Sequence, residues 1–127
     1  MDVNVTTLVG RLASDPDVRQ SKSGAMVANF TVAANYRYLA KDGEQRDEVA
    51  YVPCAVFGAP ATWAGEHNKG EPVAVSGHLV SNSWQKDGQT HWGLCLRVKD
   101  VAFFHRAKGA NGQVQVPAAK AEDQPPF

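Results

Sequence analysis

Apolar and polar residues alternate along most of this chain, and a period of two predicts strands rather than helices. The clearest run spans residues 26–38, where one predicted face begins with Met26, Ala28, Phe30, Val32 and Ala34. We predict four further strands, at residues 3–9, 49–57, 72–80 and 90–103. A chain dominated by such strands has to cover one face of a sheet, so the pattern indicates an all-β fold.

Turn residues separate the predicted strands. The sequences KDGE at residues 41–44 and KDGQ at residues 86–89 are hairpin signals, because Asp-Gly suits the backbone of tight turns. The sequences SDPD at residues 14–17 and SKSG at residues 21–24 predict two further turns. Gly10, near the end of the first strand, is typical of a bulge or bend.

Two features modify the strand pattern. Pro53 lies inside the third predicted strand and cannot donate a ladder hydrogen bond, so it requires an edge, a bulge or a local break. Residues 59–68 predict a helix of one or two turns, with Ala61, Trp63 and Ala64 able to face a core.

The order of elements is therefore three strands, a short helix and two strands. This is the order of the OB-fold, a five-stranded, partly open barrel whose face binds oligonucleotides or oligosaccharides. An SH3-like or other small barrel has similar strand spacing and is the alternative that pattern alone leaves open.

Composition limits the class of protein. The 127 residues predict one domain at residues 1–105, a flexible linker at residues 106–121 and a short tip at residues 122–127. Its 13 basic and 13 acidic residues balance, so any basic surface has to be local. We find no apolar run of membrane-spanning length and no signal-peptide pattern, and the chain has only two cysteines, so we expect an intracellular, cytoplasmic protein.

Residues that carry catalytic or metal chemistry are sparse. Cys54 and Cys95 lack metal spacing, and we expect two buried thiols, with a disulfide between them as the alternative. The four histidines are scattered; His91 and Cys95 share a strand face, but no further ligand stands at suitable spacing. No nucleophile elbow, phosphate loop or paired-carboxylate site occurs, so the sequence predicts no enzyme, no cofactor and no metal site.

Aromatic residues and cations alternate within residues 36–58. Tyr36, Tyr38, Tyr51 and Phe57 lie on the predicted strands, and Arg37, Lys41 and Arg46 lie between them. A planar ring can stack on a nucleobase and a cation can bind a phosphate, so this combination on extended backbone favours binding of single-stranded nucleic acid. The alternative is structural, since most aromatic residues in strands pack in cores.

Separated motifs, taken in order, resemble the bacterial-type single-stranded DNA-binding proteins over residues 3–104 and at the extreme C-terminus. The matching pieces are Val9-Gly10-Arg11-Leu12, Asp15-Pro16, Val18-Arg19, Val27-Ala28-Asn29-Phe30, Val56-Phe57-Gly58, Lys69-Gly70, Val75-Ser76-Gly77-His78-Leu79, Ser83-Trp84 and Asp87-Gly88. The resemblance implies an OB-fold that wraps single-stranded DNA without catalysis, in replication, recombination and repair. It maps the base-stacking positions of that family onto Tyr38, Tyr51, Phe57 and Trp84.

Six cations are candidates for lining the DNA path and neutralising phosphates. They are Arg11, Arg37, Lys41, Lys86, Arg97 and Lys99. We favour Arg37 and Lys86 because these two neighbour predicted stacking residues.

The C-terminus carries a second part of the resemblance. The family ends in an acidic run and a Pro-Phe tip that docks replication and repair proteins, and here Glu122, Asp123, Pro126 and Phe127 match. A terminal phenylalanine on a flexible tail has no core to enter, which favours a pocket on a partner. Pro125 stands where the family usually has an aliphatic residue, and the acidic run is short.

The resemblance also implies a homotetramer. The family usually has a His-Arg pair at a subunit contact in the third strand, whereas this chain has Val52 and Pro53 there. Together with the neutral charge, this departure keeps a second hypothesis open, namely an OB-fold protein–protein adaptor with weak or no DNA binding. RNA is an alternative ligand that the sequence does not separate from DNA.

Overall fold

Six strands and one short helix make up the part of the chain that the computed structural model describes, residues 1–105. In chain order they are β1 (Thr6–Leu12), β2 (Asp17–Gln20), β3 (Met26–Leu39), β4 (Gln45–Phe57), α1 (Ala59–Ala64), β5 (Pro72–Lys86) and β6 (Gln89–Phe103). The predicted linker at residues 106–121 and the tip with Glu122, Asp123, Pro126 and Phe127 lie outside the described residues.

The five long strands form the predicted OB-fold barrel. Their order is β1-β5-β6-β4-β3, and a further pairing of β1 with β3 closes the barrel. Two of its seams are short. Along β1 and β3 only Arg11↔Ala33 and Leu12↔Val32 pair, and along the parallel β4 and β6 only Cys54↔Leu96 and Ala55↔Arg97 pair.

Two glycines allow backbones to approach closely where the barrel bends. A Cβ atom on Gly10 would lie 2.2 Å from the carbonyl oxygen of Ala33, at the place where β1 passes from β5 to β3. A Cβ atom on Gly77 would lie 2.0 Å from the carbonyl oxygen of Arg97, next to the register shift between Ser76 and Gly77. The bend that the sequence predicts at Gly10 is therefore a site of contact between strands.

The core consists of the inward-facing residues of all five long strands. The largest fully buried side chains are Leu12, Val32, Cys54, Val56, Val73, Val75 and Leu96. Phe30 and Phe103 meet edge to face at this core, with ring centroids 5.7 Å apart. Ala61 and Ala64 of α1 complete it.

Both predicted hairpin turns are present. Asp87 and Gly88 adopt positive φ angles of 53° and 77° between β5 and β6, as a two-residue type I′ turn requires. The KDGE sequence lies in the connection between β3 and β4. Both pairs of strands extend further than predicted, since β4 begins at Gln45 and β5 continues to Lys86. The outer parts of β3 and β4 form one two-stranded arm that projects beyond the core, and the outer parts of β5 and β6 form a second one. We call them the β3–β4 arm and the β5–β6 arm.

Pro53 lies at an edge, one of the three settings that the sequence allowed. It faces Thr31 in β3, and the carbonyl oxygen of Thr31 accepts a hydrogen bond from Ala13 on the other side. Thr31 and Pro53 are therefore a pair without mutual hydrogen bonds, and the nitrogen of Pro53 points away from β3. The register with β6 begins only at Cys54, so the missing N–H breaks no ladder hydrogen bond.

Three local expectations are wrong. The short β2, which pairs with the start of β3, was not predicted, because four residues between two turns show too little periodicity. Helix α1 has the predicted length of one to two turns but ends at Ala64, before the predicted limit at residue 68, and Trp63 is 52 % exposed rather than part of the core. Trp92 and Leu94 share the predicted apolar face of Leu96 and Val98 but are exposed, because their part of β6 lies on the arm beyond the core.

No helix among residues 1–105 has the length and apolar character needed to cross a membrane.

Both cysteines are free thiols, as expected from the sequence, but only Cys54 is buried; Cys95 is partly exposed, so the expectation of two buried thiols is wrong for Cys95. Burial and, to a smaller extent, the nearby Cys95 together raise the pKa of the Cys54 thiol to about 12. Burial also raises the pKa of Cys95, against the opposing effect of the Arg97 charge.

Replacing Gly10 with alanine should destabilise the barrel by about 1–3 kcal/mol, because the new methyl group would overlap the Ala33 carbonyl and force the β1–β3 seam apart. Urea unfolding measures the change. The matched control is Gly65→Ala, where the nearest atoms to a Cβ are 3.5 Å away and ordinary contact is expected. Equal stability of the two variants would contradict the proposed role of Gly10.

Alkylation by iodoacetamide should modify Cys95 well before Cys54 in the native protein. With a pKa of about 12, about one Cys54 thiol in ten thousand is ionised at pH 8. The ionised fraction increases about tenfold for each unit by which the pH is raised toward the pKa. Mass spectrometry of the labelled chain, with urea-unfolded protein as the control, measures both rates. Equal labelling of the two native thiols at pH 8 would contradict the assignment.

Candidate nucleic-acid interface

The outer face of β4 carries two of the predicted stacking residues. Side chains alternate along this strand, so Cys54 and Val56 enter the core while Tyr51 and Phe57 point outward. Tyr51 is 65 % exposed and Phe57 is 44 % exposed. Across the sheet Tyr51 faces Ala33, a small neighbour that leaves the ring open to solvent.

Arg97 connects β4 with β6 on the same outer face. It pairs with Ala55 across the parallel seam, and its guanidinium carbon lies 4.9 Å from the centroid of the Phe57 ring. A guanidinium over an exposed ring contributes about 0.5–1 kcal/mol through the cation–π interaction. The contact orients a planar cation and an aromatic ring toward the same solvent-facing surface.

Trp84 lies on the β5–β6 arm and continues this face. It pairs with His91, and His91 and Arg97 have the same outward alternation along β6. The indole and imidazole rings are stacked with centroids 5.8 Å apart. Atom Cζ3 of Trp84 would lie 3.1 Å from a Cβ on Gly93, so the absence of a side chain there leaves room for the indole. Trp84 is thereby held with 47 % of its surface exposed.

Tyr38 lies on the opposite face of the β3–β4 arm. The continuous register pairs Ala33 with Tyr51 and Tyr38 with Arg46, so Tyr38 and Tyr51 differ in alternation. Tyr36 shares the face of Tyr38, and the two rings are stacked with centroids 6.4 Å apart. The structure thus brings Tyr51, Phe57 and Trp84 onto one outer face and places Tyr38 behind it. A single nucleic-acid strand that contacts all four rings therefore has to pass around the β3–β4 arm.

The predicted cations differ in their partners. Arg37 forms an ion pair with Asp47 at 3.0 Å, and the neighbouring Arg46 pairs with Asp42 at 2.8 Å. Both pairs are exposed, and such pairs contribute only about 0–1 kcal/mol. Within residues 1–105 the other five candidates form no ion pair and are exposed: Arg11, Lys41, Lys86, Arg97 and Lys99.

Sequence reasoning missed two features of this face. The stacking of His91 on Trp84 had a signal, because the two residues lie at equal distances on either side of the Asp87-Gly88 turn and therefore face each other. No feature of the sequence indicated that Arg97 lies over Phe57, because this contact depends on the parallel pairing of β4 with β6, which are distant in sequence.

Comparison with known proteins agrees with this architecture. The description "Single-strand binding protein family" belongs to a family profile that matches residues 3–104. A single-stranded DNA-binding protein of Aquifex aeolicus is 32 % identical over 126 residues, which are 98 % of this chain and 83 % of the relative. One from Oceanobacillus iheyensis is 33 % identical over 112 residues, or 87 % of this chain and 68 % of the relative.

Solved structures show the same fold. A chain from a Plasmodium falciparum SSB complex with single-stranded DNA has a TM-score of 0.73 at 22 % identity, and the match covers 83 % of this chain and 97 % of that one. A deletion mutant of the Thermus aquaticus single-stranded DNA-binding protein has a TM-score of 0.72 at 23 % identity, covering 89 % of this chain and 54 % of that one.

The family profile spans the whole described barrel, including Tyr51, Phe57, Trp84 and Arg97. The chain therefore belongs to the single-strand binding protein family.

Proposed function

We propose that this protein binds single-stranded DNA without sequence preference and without catalysis. The observation that carries the proposal is the outer face on which Tyr51, Phe57 and Trp84 are exposed together with Arg97. Aromatic rings stack on any base, and each stacked base contributes about 1–3 kcal/mol. The names of the bacterial relatives and the DNA-bound Plasmodium structure support the same ligand.

The proposed path crosses both arms. Bases would stack on Tyr51, Phe57 and Trp84, and the strand would then turn around the β3–β4 arm to reach Tyr38. The cations without ion pairs would contact phosphates, and Arg37 would exchange Asp47 for a phosphate at small cost, because its ion pair is exposed.

The proposal includes a biological setting. Binding exposed strands during replication, recombination and repair places the protein in the cytoplasm at the nucleoid, and Phe127, with Glu122, Asp123 and Pro126, would recruit partner proteins. We also propose a homotetramer. Large apolar side chains exposed at the start of the chain and on the β5–β6 arm support contacts between copies: Val3, Val5, Val9, Trp92 and Leu94.

Replacing Trp84 with alanine should weaken binding of fluorescein-labelled oligo-dT about 5- to 150-fold, because one stacking platform is lost. Fluorescence anisotropy at fixed salt measures the affinity. The matched control is Trp63→Ala on α1, which removes an equally exposed indole from another surface and should change affinity less than about twofold.

Three outcomes would redirect the proposal. Absence of oligo-dT binding by the unaltered protein at low salt, with partner capture that depends on Phe127, would favour the adaptor hypothesis. Tighter binding to oligo-U than to oligo-dT would favour RNA. Equal affinities of the Trp84 and Trp63 variants would contradict the assigned stacking face.

Arg97→Gln should reduce the slope of log affinity against log salt by about 0.7, the value for one phosphate contact on a single strand. Arg97→Lys should keep the slope and still lower affinity, because the planar contact with Phe57 is lost. The control is Arg19→Gln on β2, whose guanidinium pairs with Asp17 at 3.0 Å. An unchanged slope in Arg97→Gln would mean that Arg97 supports Phe57 without contacting phosphate.

A further inference from the structure

Two histidines and a glutamate meet at the end of the barrel where β5 begins and β6 ends. His67 follows α1, Glu71 directly precedes β5, and His105 lies just beyond β6. One potential ligand atom from each of the three residues lies within 4.8 Å of the other two. These are nitrogen and oxygen donors of the kind that divalent transition metals bind.

The carboxylate of Glu71 lies between the two imidazoles. Its Oε1 atom is 3.4 Å from Nδ1 of His67, and its Oε2 atom is 3.0 Å from Nδ1 of His105. The backbone N–H of Asn68 donates to Oε1 at 2.6 Å, which fixes the orientation of the carboxylate. Ligands about 2.0–2.1 Å from a tetrahedral zinc ion are separated by about 3.4 Å, close to the spacing seen here.

His67 supplies an independent indication of a ligand. Only 7 % of its side chain is exposed, yet within residues 1–105 its Nδ1 atom has no hydrogen-bond partner. Glu71 is near but lacks hydrogen-bond geometry. A buried polar atom without a partner costs about 1–3 kcal/mol, so such an atom calls for a specific explanation. A metal ion between His67 and Glu71 would satisfy it.

We propose that His67, Glu71 and His105 bind a zinc ion through Nδ1, a carboxylate oxygen and Nδ1, with water as the fourth ligand. Two histidines and one glutamate are an established zinc-binding combination. The single negative charge of Glu71 partly neutralises the ion. The bound ion would connect the segment before β5 to the end of β6, directly before the residues that the structure does not describe.

Binding requires one movement. The imidazoles of His67 and His105 are stacked, with centroids 4.3 Å apart and planes at 27°, whereas rings that share an ion must direct their in-plane lone pairs to one point. His105 has 69 % of its side chain exposed and can turn away from the stack. His67 cannot turn as freely, because Phe103 stacks on it with centroids 4.9 Å apart. His67 and Glu71 thus form the fixed part, and His105 completes the site.

This site is separate from the proposed DNA face. Phe103, next to the cluster, pairs with Val73 at one end of the β5–β6 hairpin, whereas Trp84 pairs with His91 near the other end. Val73 and Trp84 are eleven positions apart in β5, which is roughly 35 Å along an extended strand. Zinc binding and base stacking on Trp84 can therefore succeed or fail independently.

Isothermal titration of the full chain with zinc chloride tests the proposal, in a buffer without phosphate, thiols or chelators. We expect one zinc ion per chain and a midpoint of thermal unfolding that rises by several degrees at saturating zinc. Cobalt substitution should give no thiolate charge-transfer band, which excludes Cys54 and Cys95 as the ligands. Oligo-dT affinity should not change.

Matched histidine variants identify the ligands. His105→Gln changes an exposed residue and should weaken zinc binding more than about tenfold, as should Glu71→Gln. His78→Gln, at an exposed histidine on β5, should bind zinc like the unaltered chain. Absence of saturable zinc binding, a thiolate band with cobalt, or equal zinc affinity of His105→Gln and His78→Gln would overturn the proposal.

Discussion

The pairing of Arg11 with two strands at once is the constraint on which the barrel depends. Arg11 faces Pro72 in β5 and Ala33 in β3, so β1 closes the sheet at this point. Hydrogen bonds extend the closure: Leu12 N–H donates to the Glu71 carbonyl at 2.9 Å, and Ala13 N–H donates to the Thr31 carbonyl at 2.8 Å. Closure of the barrel therefore fixes both the start of the β3–β4 arm and the backbone beside the cluster of His67, Glu71 and His105. The two arms have a rigid base because this seam exists.

Much of the fold was predictable because strand alternation and turn chemistry are local properties. The Asp-Gly sequence at Asp87 and Gly88 specifies its turn by backbone conformation alone. Alternation identified the buried face of β3, with Ala28, Phe30 and Val32, but not that of β1, where Val9 is exposed and Leu8 and Leu12 face the core. It could not show where the core ends, because Trp92 and Leu94 follow the same pattern as the buried Leu96. Whether an apolar face is covered depends on neighbouring strands, and a single strand's sequence does not contain that information.

The candidate DNA face was predictable to a different degree for each residue. Tyr51, Phe57 and Trp84 are exposed rings on one surface; the pattern of aromatic residues and cations predicted a stacking role for Tyr51 and Phe57, whereas Trp84 was predicted only through the family resemblance. The location of Tyr38 on the opposite face required the register of β3 against β4. Among the cations, Arg37 was favoured for its position beside aromatics, but the structure gives it Asp47 as a partner and places Arg97 against Phe57. Long-range pairing decides such contacts. For the same reason the sequence did not indicate that Glu71 and His105 lie close together, since they are 34 positions apart.

The β5–β6 arm has a consequence for how relatives of this protein can diverge in length. Its register is anchored at Leu79↔Leu96, where both strands meet the core, and its tip is a two-residue turn. Adding one residue to each strand between anchor and Trp84 would preserve the pairing but rotate Trp84 to the reverse side of the ribbon. Adding two residues to each strand would restore its direction. Length changes between the Leu79↔Leu96 pair and Trp84 therefore keep the indole on its face only in steps of two residues per strand, whereas length changes between Trp84 and the turn leave its face unchanged.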